Sequence, residues 1–183
     1  LLHSCSSKKY LSENEYLLDR VNIVSDTTKL NTSLFTGYLR QQPNSRWIST
    51  IKLPLCIYLM SNPQSNNFFS RFVRKMGEAP VIYDESLTKV SMQQLRQQMN
   101  NMGYFQAEVD TIKVVKNRKV NLTYLVTAHK PYTICNYEVD IDIAQVSKIA
   151  SDENCLVHAG EQFSTETLDA ERDRITTVMR NRG

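Results

Sequence analysis

Long apolar runs are missing from this chain. The longest lies within Leu53–Met60 and is broken by Pro54, far short of the about 18 residues a membrane helix needs. No segment is therefore expected to span a bilayer as a helix. Glycine is scarce, five in 183 residues, and no Gly-rich phosphate loop, G-x-S-x-G or H-E-x-x-H occurs. His3, His129 and His158 are scattered, with no pair at a metal-ligand spacing. Asp140 and Asp142 straddle Ile141 and share one strand face, but the glycine-bearing loop that calcium requires is missing. Neither an enzyme nor a metal or cofactor site is expected. A strong charge of one sign is lacking too: the net +3 does not by itself imply a nucleic-acid partner. The hydrophobic content of 41% suits a globular chain, and the length leaves room for one domain or two small ones.

What is present is organised around Ser91–Val126. Met92, Leu95, Met99 and Met102 recur at steps of three and four, the stripe of an amphipathic helix. Gly103 follows at the C′ position, where a positive φ is usual. Phe105, Ala107 and Val109 then alternate with Gln106, Glu108 and Asp110, the period of a half-buried strand. After a polar turn at Lys116-Asn117-Arg118, Val120, Leu122, Tyr124 and Val126 alternate in the same way. Helix, glycine stop and hairpin form one unit, because neither element can bury its apolar side alone.

Upstream, Tyr16–Val24 reads as a strand. A helix follows in which Leu30 and Phe35 staple an Asn31 cap, Leu34, Phe35, Tyr38 and Leu39 face inward, and Pro43 stops it. Trp47–Asp84 has no clean period until Phe68, Phe69, Phe72, Val73 and Met76, a helical stripe with Arg71, Arg74 and Lys75 opposite it. That stripe is read as packing on its own domain; the alternative is a basic helix on a membrane surface. Downstream of His129-Lys130-Pro131 the pattern restarts. Tyr132–Ile141 reads as a strand, and Phe163 and Leu168 staple Ser164 ahead of a helix with Leu168, Ile175, Val178 and Met179. At an offset of 80, Leu95 pairs with Ile175, Met99 with Met179, Asn101 with Asn181 and Gly103 with Gly183, an internal repeat. The second copy has no hairpin after its glycine, so the chain reads as the front of a longer protein.

Leu1-Leu2-His3-Ser4-Cys5 resembles the tail of a bacterial lipoprotein signal, which implies cleavage before Cys5 and lipid on it, with Ser6–Asn14 as a polar tether. The order strand, helix, helix, strand, strand, with Gly103-Tyr104-Phe105 and the Lys130–Ile134 link, resembles POTRA domains. These are the tandem periplasmic modules of Omp85 outer-membrane assembly proteins related to BamA. The Gly77–Asp84 segment and the insertion before it are similar to TamA-like members of Bacteroidetes, and a lipidated N-terminus to their lipoprotein version, TamL.

The resemblance implies an α+β fold of tandem β-α-α-β-β modules, each a small mixed sheet with helices on one face. Residues 1–14 would be lipobox remnant and tether, 15–129 a first module with an insertion at about 46–83, and 130–183 the start of a second module lacking its final hairpin. It places the protein on the periplasmic face of the outer membrane, held by the N-terminal lipid and a downstream barrel. Its partners would be unfolded outer-membrane clients or a partner in an assembly complex. The strand after Gly103, about Tyr104–Val115, would be a sheet edge, with Tyr104, Gln106, Glu108, Asp110 and Ile112 as the partner-binding positions. In an oxidising periplasm Cys135 and Cys155 are candidates for a bridge, and buried thiols are the other reading. A small basic nucleic-acid-binding domain is the alternative function, with Lys113, Lys116, Arg118 and Lys119 at the hairpin tip. Those charges suit a solvated turn equally and lack the aromatics of an RNA-binding sheet, so no nucleic-acid partner is expected.

Overall fold

A computed structural model describes residues 7–47, 51–138, 142–150 and 154–181. The elements run β1 (Leu17–Ser25), α1 (Leu53–Leu59), α2 (Phe68–Met76), α3 (Glu85–Asn101), β2 (Glu108–Lys116), β3 (Lys119–Thr127), α4 (Ala144–Ala150) and α5 (Thr165–Asn181), with 3₁₀ turns at Ser7–Tyr10 and Thr32–Tyr38. The fold is α+β, as expected. The described strands form one mixed sheet in the order β1-β3-β2, with β1 parallel to β3. By contacts the chain divides into two compact units, Leu1–Gln94 with Val109–Val126 and Leu95–Glu108 with Thr127–Gly183.

In the first unit the central strand carries the core. Val120, Leu122, Tyr124 and Val126 are 0–2% exposed, the inward half of a period-two alternation. Burial pushes the Tyr124 phenol up, against the pull of the Ser91 and Thr88 hydroxyls of α3, so the front of α3 lies over this strand. Asn117 and Arg118 join β2 to β3 with φ of 52° and 58°, the two left-handed residues of a type I′ turn. Arginine is a costly choice there. Its guanidinium donates to the carbonyls of Ser12 and Glu15, and its own carbonyl accepts from the Leu17 N–H at 2.9 Å.

β1 is irregular at one point. The pairing with β3 skips Asp19, between Leu18 and Arg20, so this residue's carbonyl leaves the ladder, as in a β-bulge. The freed carbonyl accepts from Lys52 at 2.8 Å and Arg46 at 3.1 Å, and the Asp19 carboxylate pairs with Lys52 at 3.0 Å. Burial raises the Asp19 carboxyl, but the Lys52 hydrogen bond and charge outweigh it and leave it lowered. Two buried amides tie the chain between β1 and α1 to the approach to α3. Gln41 donates to the Asp84 carbonyl and Thr88 hydroxyl and accepts from the Asp84 N–H; Asn44 donates to Ala79 O and accepts from Val81 N.

Two expectations fail in this region, and one helix forms where the sequence assigned no element. Leu34 is 67% exposed although Leu30 and Phe35 are buried around the Asn31 cap; the segment is a 3₁₀ turn with three residues per turn, which moves Leu34 off the inner line. α1 forms where no period was visible, opened by Pro54 in its first turn. α2 does not bury its aromatic stripe: only Ser70 and Val73 are buried, while Phe68 is 86% exposed. The packing of α2 on α1 runs through its small side. Gly77 is needed there for closeness, since a Cβ would lie 2.4 Å from the Tyr58 nitrogen.

The second unit is locked at Gly103, whose φ is +85° as its helix-stop role requires. Tyr104 N donates to Met99 O and Gly103 N to Asn100 O, both at 2.9 Å, which makes the end of α3 a Schellman motif. Gly103 O accepts from Tyr132 N at 2.8 Å, and a Cβ on Gly103 would lie 2.6 Å from Phe163 O. The Phe105 ring meets Tyr132 edge-on at 5.3 Å and Phe163 at 5.1 Å. At the other end of the unit, Glu171 is buried and receives both Arg174 Nε at 2.8 Å and a terminal Arg174 nitrogen at 2.7 Å, with Leu156 N at 3.0 Å. Arg174 also donates to Ile149 O at 2.8 Å, which ties α5 to α4.

The internal repeat extends well beyond its apolar positions. α3 and α5 start and stop 80 residues apart, and so do their caps, Asp84 and Ser164. In the first unit Leu17 bridges Ile82, with Leu18 N donating to Val81 O and Tyr83 N to Tyr16 O, both at 2.8 Å. In the second unit Thr133 bridges Gln162, with Ile134 N donating to Glu161 O at 2.8 Å and Phe163 N to Tyr132 O at 2.9 Å. The helix-side partners are again 80 apart, the strand-side partners 116, so the first copy holds 36 more residues between them. The expected strand over Tyr132–Ile141 reduces to this bridge through Glu138; 139–141, including Asp140, lie outside the described residues, as does Gly183. The two stripes also differ. Leu95 and Met99 are 1% exposed, whereas Ile175 is half-buried and Met179 is 41% exposed.

Leu95→Ala should cost about 2–5 kcal/mol in denaturant melts, the range for a buried leucine; a loss below about 0.5 kcal/mol would contradict the packing described. The Arg174 guanidinium holds the Glu171 carboxyl below its usual range, with the Leu156 N–H helping and burial opposing. A lowered carboxylate stabilises above its unfolded value of about 4.3 and loses that contribution as pH falls through the folded value. Glu171→Gln should therefore lose about 1.5–3 kcal/mol at neutral pH and show a flatter fall in stability on acidification. Parallel wild-type and variant curves, measured by urea melts across the acid range, would refute this.

Candidate functional site

β2 is the edge strand that the hairpin leaves open. The two-residue turn sets its register: Lys116 faces Lys119 in a hydrogen-bonded pair, and bonded and non-bonded pairs then alternate along the hairpin. Glu108, Asp110, Ile112, Val114 and Lys116 thus direct their N–H and C=O groups at β3. Thr111, Lys113 and Val115 direct theirs outward. The other side of β3 agrees with this parity, because Arg118 O and Val126 O accept from Leu17 N and Asp26 N on the β1 side.

This geometry corrects the sequence expectation in two ways. Tyr104 and Gln106 are not on the edge. The strand starts at Glu108, and Tyr104–Ala107 is a turn closed by Ala107 N donating to Tyr104 O at 3.0 Å, with Tyr104 buried. The turn arises because the Schellman end of α3 consumes the residues that a simple alternation would give to the strand. Glu108, Asp110 and Ile112 are on the edge, but their side chains face outward while their amides face β3. The open donors belong to the intervening residues.

The inner face of β2 loses its cover toward the hairpin tip. Val109 is buried and Thr111 half-buried, while Lys113 and Val115 are exposed. Beside these two lies an open hollow of about 310 Å³, lined also by Tyr16, Tyr83 and Glu85. Lys113 Nζ stands 3.7 Å from a Glu85 oxygen and 5.0 Å from the Tyr83 ring centre. On the outer face Ile112 and Val114 are 50% and 53% exposed, a flat apolar pair between Asp110 and Lys116. The strand therefore offers backbone donors, an apolar outer strip and a polar-aromatic hollow within a few residues.

The remaining candidates are placed as follows. Cys135 is exposed and Cys155 half-buried, and no disulfide joins them in this structure; the Cys155 thiol lies 3.4 Å from Val157 O. Cys5 lies outside the described residues. At the basic hairpin tip Lys113 pairs with Glu85 and Arg118 holds two carbonyls, while Lys116 and Lys119 are exposed.

A model of the POTRA family, described as surface antigen variable number repeat, matches residues 16–128. Among solved structures the chain is similar to the crystal structure of Haemophilus influenzae BamA POTRA3-5, at 9% identity over 92% of this chain and 88% of that one, with a TM-score of 0.32. So loose a superposition carries no residue from one protein to the other. No curated protein sequence matches the chain.

Proposed function

The chain belongs to the POTRA family, and from that premise we propose that it is a periplasmic POTRA region of an Omp85-type outer-membrane assembly protein, which receives extended client segments as an added strand at β2. The observation that carries this reading is the open edge, where Thr111, Lys113 and Val115 direct backbone groups that find no strand partner among the described residues, beside an uncovered hollow. Strand addition binds through the main chain and is largely blind to client sequence, which suits a module that handles many unfolded barrels. Alternate client side chains would enter the hollow at Tyr16, Tyr83 and Lys113. Asp110 and Lys113 also serve as gatekeepers, limiting pairing of one edge with another.

The finer assignment follows the same premise. The parent protein is a TamA-like lipoprotein of Bacteroidetes, acylated at Cys5 and continuing into a barrel. Residues 15–129 form one module with its insertion at about 46–83, and residues 130–183 open the next. The shared strand-to-helix clasp supports this division. The uncovered Met179 stripe on α5 supports a hairpin still to be added to the second module. Nucleic-acid binding is not favoured, since two of the four hairpin-tip cations, Lys113 and Arg118, are engaged within the module.

Thr111→Pro and Lys113→Pro each delete an outward donor without removing a bond to β3, so both should fold as the parent does. Each should weaken binding of extended barrel-derived peptides by about tenfold, the value of one lost hydrogen bond, as read by fluorescence anisotropy. Ile112→Pro removes an inward donor and should instead lower the melting temperature. Folded Thr111→Pro and Lys113→Pro proteins that bind like the parent would eliminate strand addition at β2. The anchor is tested separately by mass spectrometry of the mature N-terminal peptide from cells: a diacyl or triacyl mass on Cys5 is expected, and an unmodified thiol would remove the lipoprotein assignment.

A further inference from the structure

The insertion carries a surface unrelated to the edge strand. Between Asp26 and Glu78 lie 51 residues with seven lysines and arginines and no acidic side chain. Since the whole chain is only +3, everything outside this stretch is net negative. Within it Arg46 and Lys52 are held at Asp19, and Arg74 donates to the carbonyls of Asn62 and Ser65. Arg71 and Lys75 remain exposed on α2.

The rotation of α2 is fixed by polar and steric contacts on its inner side. Asn67 caps it by accepting from Ser70 N at 2.9 Å, Ser70 and Val73 are buried, and Gly77 lies against the backbone of Tyr58. Phe68, Phe69, Phe72 and Met76 consequently project outward, 53–86% exposed, with the Phe68 and Phe72 rings stacked at 6.5 Å. Phe68, Phe72 and Met76 follow at steps of four, so they line one side of the helix, and Arg71 and Lys75 flank them at steps of three.

We propose that α2 is an interfacial anchor that lies in the plane of an anionic bilayer surface, with its phenylalanines and Met76 below the headgroups and Arg71 and Lys75 on lipid phosphates. The charge pattern selects this occupant. An apolar face flanked only by cations, in a stretch free of carboxylates, complements a phosphate-bearing surface along its whole length. Aromatic rings suit the headgroup boundary, and long cationic side chains reach up from it. A nine-residue helix cannot cross a membrane, and no described helix is long and apolar enough to do so, so the segment lies on the surface. The inference rests on this surface and is independent of the family reading.

Vesicle co-sedimentation tests it, using the full chain carrying Cys5→Ser so that no acyl chain contributes. Vesicles of phosphatidylcholine with about one-third phosphatidylglycerol supply the anionic surface, and pure phosphatidylcholine vesicles supply the neutral one. The protein should pellet with the anionic vesicles, release as salt rises, and pellet far less with the neutral ones. Phe68→Ser/Phe72→Ser should lower the bound fraction about tenfold or more, and Arg71→Gln/Lys75→Gln should remove the preference for anionic lipid. All four side chains are exposed, so both double variants should keep the parent's thermal melt. The proposal is overturned if the parent binds neither vesicle, or if folded variants bind as the parent does. It is overturned equally if sedimentation shows a concentration-dependent dimer that Phe68→Ser/Phe72→Ser abolishes while vesicles stay bare, because a second copy would then cover the face.

Discussion

The structure depends on one constraint, the simultaneous satisfaction of both sides and the inner face of β3. Its backbone is engaged by β1 on one side and β2 on the other, and its inner side chains are 0–2% exposed. A slip of one residue would turn Val120, Leu122, Tyr124 and Val126 outward together, so the register has no near alternative. Parallel pairing with β1 then requires a long crossover, and α1, α2 and α3 occupy it. Antiparallel pairing with β2 needs only two turn residues. The sheet accordingly ends at β2, and the open edge is a consequence of how the central strand is satisfied.

The segment between β1 and α3 is attached by different physics. Its ties to the sheet are polar: the bulge at Asp19 turns a carbonyl and a carboxylate toward Arg46 and Lys52, and Gln41 and Asn44 satisfy the strand-like backbone leading into α3. α2 makes its packing contact through its small side, at Ser70, Val73 and Gly77, and its aromatic side is left outward.

The two units share one local arrangement. The strand-to-helix clasp recurs with nearly identical hydrogen bonds in both copies, although 36 more residues separate its partners in the first. Loop length costs free energy only logarithmically, so the longer stretch between the first pair of partners is tolerated with the clasp unaltered. Gly103 serves two needs at once. Its left-handed φ closes α3, and its missing side chain admits the Phe163 carbonyl, so any substitution there meets both a conformational and a steric penalty.

Much of this was legible in the residues. The α3 stripe, the Gly103 stop, the two hairpin strands and the Asn31 and Ser164 caps all follow from local periodicity and local hydrogen bonding, which a short window contains. The offset of 80 is equally a property of the chain, and the bounds of α3 and α5 follow it. The edge donors, the bulge at Asp19 and the outward face of α2 were not legible, because each is set by a competition with residues far away in the chain. Periodicity says that Phe68, Phe72 and Met76 share a side of a helix. Which side meets the protein is decided by where Gly77 lets α1 approach. Alternation likewise identifies the faces of β2, but the direction of its amides depends on the turn at Asn117-Arg118 and the pairing with β3. By itself the sequence determined the elements and their caps; tertiary packing alone decided which groups they leave open, since burial is a property of the assembled set and not of any one segment.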